Sequence, residues 1–72
     1  MPPSLPRVSG ADAVLALQRL GFVAARQKGS HVVLKRGSVG CVVPLHAELK
    51  VGTLSGVLKQ AGVSADEFMA QL

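Results

Sequence analysis

The apolar positions of this chain follow a helical spacing, then a strand spacing, then a helical spacing again. Ala13, Ala16, Leu17 and Leu20 fall at i, i+3, i+4 and i+7, and Val14 widens the same stripe, which predicts an amphipathic helix. Ser9 stands where an N-cap belongs, with Asp12 three residues on as a weaker capping-box partner, and Gly21 is placed to end the helix. Phe22 to Gln27 then reads as a strand and Lys28-Gly29-Ser30 as a turn. His31 to Arg36 reads as a second strand, Gly37 to Gly40 as a second turn, and Cys41 to Val43 as a short third strand stopped by Pro44. Two tight turns in succession imply an antiparallel meander. In the second strand Val32 and Leu34 share one face, while His31, Val33 and Lys35 share the other. If the valine and leucine meet the helices, His31 and Lys35 face outward.

After a loop over Leu45 to Lys50, a second helix opens near Gly52-Thr53. Leu54, Val57, Leu58 and Ala61 repeat the helical spacing, and Gly62 closes it. Ser64 and Glu67 form a second capping box that starts a short terminal helix, with Phe68 and Leu72 expected to face inward. The predicted fold is α+β: α-β-β-β-α, a three-stranded antiparallel sheet with two helices on one face, plus a short C-terminal helix. Residues 1–8, which hold three prolines, are expected to form a flexible Pro-rich arm, and residues 9–72 a single domain.

Seventy-two residues allow one thin core. A chain of this size buries roughly 60% of its unfolded surface, which leaves little room for a deep small-molecule cavity and puts function on the surface. Trp and Tyr are absent and Phe occurs twice, so the core is aliphatic. That composition argues against RNA binding by aromatic stacking platforms. The single cysteine, Cys41, excludes an internal disulfide and a Cys-rich metal site, and in an apolar strand it reads as a core residue. No apolar run approaches the roughly 20 residues of a membrane span, and residues 1–8 lack an apolar signal segment, so a cytoplasmic protein is expected.

Eight Lys and Arg against four acids give a net charge of +4. Such a balance in a small domain suits a polyanionic partner or an acidic protein that masks it. The candidate chemistry centres on His31, because imidazole gives and takes protons near neutrality. Arg26, Lys28 and Lys35 flank it, and the Gly29-Ser30 turn offers backbone N–H groups to a phosphate. His46, in the loop after Pro44, is read first as a loop histidine that orders the turn or contacts RNA, and second as another acid/base group. Lys50 and Lys59 either extend an RNA track or are ordinary solvated charges. Two histidines with Glu48 form no recognisable ligand spacing, so no metal or other cofactor is expected.

Three stretches carry a family resemblance: Leu20-Gly21-Phe22 through Arg26-Gln27-Lys28-Gly29-Ser30-His31, then Val42-Val43-Pro44-Leu45-His46, then Gly52-Thr53-Leu54 through Leu58-Lys59-Gln60-Ala61-Gly62-Val63. In order and spacing they resemble the HicA (YcfA-like) toxins of bacterial toxin–antitoxin systems, and the element order resembles double-stranded RNA-binding domains. The resemblance implies a metal-independent endoribonuclease, an mRNA interferase that arrests translation, with His31 as the catalytic residue. It also implies an acidic HicB-like antitoxin as partner, and DNA contact only indirectly through that antitoxin. The rival readings are a non-catalytic dsRBD-like RNA-binding module and, more weakly, an interaction subunit acting only through its partner.

Overall fold

The computed structural model describes residues 5–72, and the first half of the expected arm lies outside them. Its elements are α1 (Gly10–Arg19), β1 (Val23–Lys28), β2 (His31–Arg36), β3 (Val39–Pro44), α2 (Val51–Ala61) and α3 (Ala65–Met69). The strands form one antiparallel sheet in the order β1-β2-β3. This is the α+β architecture the sequence predicts.

Local chemistry sets the element ends. Ser9 Oγ accepts from the Asp12 N–H at 3.0 Å and caps α1. At its other end Gly21 takes φ +97°, its N–H donating to the Gln18 carbonyl while the Phe22 N–H donates to Leu17. This double bond is a Schellman ending, and it delivers Phe22 into the core at 2% exposure. Gly62 and Val63 repeat the arrangement at the end of α2. The Ser64–Glu67 capping box is formed in both directions, each bond 3.1 Å. The Ser64 hydrogen bonds hold the Glu67 carboxyl below the usual carboxylate range. Their contribution to stability is therefore present above the ordinary carboxylate pKa and is lost as pH falls through the lowered one.

The core lies between the sheet and the helices. Val32 and Leu34 of β2 and Cys41 and Val43 of β3 face Ala13, Ala16 and Leu17 of α1 and Leu54, Val57, Leu58 and Ala61 of α2. Burial pushes the Cys41 thiol pKa up, as befits a core residue rather than a reactive one. Phe68 of α3 closes one end of this layer, fully buried. Leu72, expected to face inward, is 50% exposed, three residues past the end of α3 at Met69. Val8, placed in the arm by the sequence reading, is a core residue whose carbonyl accepts from the Leu49 N–H at 2.7 Å. Both long helices pack over β3, and β1 stays exposed along all six residues.

Candidate functional site at the rim of the sheet

His31 opens β2 and is exposed, on the face opposite the buried Val32 and Leu34. The hairpin before it is tight. Gly29 has φ +59°, no other residue type in the described chain has positive φ, and Lys28 pairs with His31 across the turn. Those are the φ signs of a type II′ turn, which favours glycine at its first central position. Gln27 Nε2 donates to the Gly29 carbonyl at 3.0 Å and braces the turn. Nothing in the sequence pattern singled out Gln27, since its role rests on where the turn folds back.

Cross-strand pairing sets which side chains share His31's face. Lys28 is opposite His31, and Arg26 is opposite Val33, the next residue on that face. Lys35 lies on the same face four residues further along, about 13 Å away at strand rise. Arg26, Lys28, Gly29, Ser30, Lys35 and His46 are all exposed. The sheet thus gathers Arg26, Lys28 and the Gly29-Ser30 turn around His31, with Lys35 at the far end of the same face. Lys50 precedes α2, at the end of the loop that leaves the His31 rim. Lys59 stands in the last turn of α2, in the helical layer behind the sheet, and is not gathered with His31.

The loop carrying His46 is tied to this rim. On the other side of β2, His31 pairs with Pro44. Pro44 ends the ladder, and the next N–H, from Leu45, donates to the Ser30 carbonyl at 2.6 Å. The Gly10 N–H donates to the His46 carbonyl at 2.9 Å. Gly10 can approach so closely only because it lacks a Cβ. An added methyl would overlap the Pro44 carbonyl oxygen and come within 2.7 Å of the Leu45 Cα. Gly10→Ala is therefore expected to push α1 off the Pro44–His46 segment and to cost about 1–3 kcal/mol, as overpacking does. A urea denaturation midpoint unchanged from the wild type would show that the approach is not needed.

Glu48 in the same loop is paired with Arg7, Nε to Oε1 3.3 Å, both exposed. Among the described residues, no group of three His, Cys, Asp or Glu comes together in a way that could hold a metal ion. No helix among them is long and apolar enough to cross a membrane.

The fold and rim together define a small basic α-β-β-β-α protein that presents an exposed histidine beside cations. Comparison with known families gives the assignment. The model described as the HicA toxin of bacterial toxin–antitoxin systems matches residues 10–63, well over half of the chain, and the chain belongs to that family. It is a toxin, and its partner is an antitoxin. No curated protein matches it.

Proposed function

We propose that this toxin is a metal-independent endoribonuclease that cleaves mRNA and arrests translation, with His31 as its general base. The observation that carries the reading is the placement of His31: exposed, fixed by a two-residue turn, opposite Lys28 and beside Arg26. Cleavage of RNA without a metal needs a group to take the 2′-hydroxyl proton and positive charge to hold the phosphorane. A positioned imidazole supplies the first. Cations and backbone N–H groups fixed in advance supply the second.

In this reading the His31 imidazole takes the 2′-OH proton, and O2′ attacks phosphorus. The Arg26 and Lys28 side chains and the Gly29-Ser30 turn hold the scissile phosphate. Lys35 meets a neighbouring phosphate along the same face, and Lys50 extends the track at the rim. The chain upstream of the cut ends in a 2′,3′-cyclic phosphate. Lys59 contributes nothing at this face and acts as a solvated charge that favours the α2 dipole. The antitoxin is an acidic HicB-like protein that covers the basic rim in the cytoplasm, and any contact of the toxin with DNA runs through it.

The rival is a dsRBD-like module that grips RNA without cutting it. Induced expression without the antitoxin separates the two. Wild type should arrest growth and generate new mRNA ends, and His31→Ala should do neither. Growth arrest by His31→Ala equal to that of the wild type would leave only the binding module.

A further inference from the structure

We propose that His46 is the second proton-transfer group of this site, the general acid that protonates the departing 5′-oxygen. The inference rests on the reading of His31 as base and extends it. In an in-line displacement the attacking and leaving oxygens lie on opposite sides of phosphorus. One imidazole held beside the 2′-oxygen cannot also reach the leaving 5′-oxygen, so a second donor is needed across the phosphate.

The structure ties the His46 segment to the rim of the sheet that carries His31. Pro44 is the cross-strand partner of His31, and His46 follows two residues later. Paired Cα atoms lie about 4.5–5.5 Å apart. Two further residues reach at most ~7 Å. The two histidine Cα atoms are thus within about 12 Å of each other, at one rim of the sheet. Both side chains are exposed.

The loop is also fixed on both sides of His46. Leu45 N–H is bonded to the Ser30 carbonyl, one residue before His31, and Leu49 N–H to the Val8 carbonyl. His46 itself is held through its main-chain carbonyl by Gly10 N–H, and its ring has no hydrogen-bond or ion-pair partner among the described residues. Any residue type would supply that main-chain bond, so ordering the loop does not account for an imidazole here. The other titratable groups at this rim suit the task less well. Lysine ammonium groups in general hold their protons too tightly for delivery near neutrality. Glu48 is engaged by Arg7.

The step balances. His31 takes the 2′-OH proton and the O2′–P bond forms. The P–O5′ bond then breaks, and the 5′-oxygen takes a proton from the His46 imidazolium. The products are a 2′,3′-cyclic phosphate and a 5′-hydroxyl, and exchange with water returns both rings to their starting protonation.

A leaving group that needs no proton tests this directly. Purified protein is given an RNA oligonucleotide with a wild-type cleavage site, and the same oligonucleotide with sulfur in place of the bridging 5′-oxygen. His46→Ala and His46→Gln should each cleave the ordinary substrate ~10²–10⁴-fold more slowly than wild type. Both should cleave the sulfur substrate close to the wild-type rate, because thiolate departs unprotonated. His31→Ala should be slow on both. Equal slowing of the His46 variants on the two substrates would overturn the proposal in favour of a binding role. Rescue by glutamine alone would do the same, and wild-type rates on both would overturn it by showing that the ring has no role. Normal cleavage by His31→Ala would instead overturn the base assignment, and this proposal with it.

Discussion

Replacement of His31 by alanine is expected to lower the rate of RNA cleavage by ~10²–10⁴-fold while leaving the fold intact. The magnitude is that of a lost general base. The fold should survive because His31 is exposed and sits on the face of β2 away from the core. An exposed substitution outside packed or capped positions changes stability by only about 0.5 kcal/mol. The check is a cleavage time course beside a thermal melt of the same preparation. A rate loss that tracked a lowered melting temperature would mean that the ring has a structural role.

The largest effect on stability is expected at Phe68, in a helix beyond residues 10–63 of the family match. Its ring is fully buried against the layer formed by α1 and α2. The Ser64–Glu67 box starts its helix, and the Arg19 guanidinium of α1 donates to the Gln71 carbonyl just beyond that helix at 2.6 Å. Loss of a buried phenylalanine side chain costs about 3–5 kcal/mol. A chain of this length has about 4–11 kcal/mol in total. Phe68→Ala should therefore lose a large share of that total, and its denaturation midpoint should fall well below that of the wild type. Urea denaturation followed by circular dichroism measures this, and a midpoint close to wild type would show that α3 is dispensable to the core.

Much of this fold is legible in the sequence because its rules are local. Ala13, Ala16, Leu17 and Leu54, Val57, Leu58, Ala61 announce their helices by spacing, and all seven are buried. Val32 and Leu34 alternate with exposed neighbours, so the outward face of His31 follows from a period of two. Gly40 is less legible. It reads as a turn residue, yet it pairs with Lys35 inside β3, because the turn needs only Gly37 and Ser38. Val8 and Leu49 are single apolar residues in irregular stretches, and no periodicity marks them for the core. A non-local hydrogen bond between their segments puts them there.

The site divides in the same way. The sequence exposes His31, Lys28 and the Gly-Ser turn as neighbours because they adjoin along the chain. The docking of the His46 loop against Ser30 and Gly10 depends on contacts between segments 15 to 36 residues apart, and it is visible only in three dimensions. Lys59 has the composition of an RNA contact but the address of a helix on the other side of the sheet.

The central claim is that an imidazole at the sheet rim activates the substrate's own 2′-hydroxyl. Its most direct test uses purified protein, excess chelator, and an RNA oligonucleotide carrying a single 2′-deoxy substitution at the nucleotide whose 3′ linkage is cut. The account predicts that the all-RNA substrate is cleaved in chelator to 2′,3′-cyclic phosphate ends and that the substituted linkage stays intact. Cleavage at the 2′-deoxy position, or 3′-hydroxyl ends from the unmodified RNA, would contradict it.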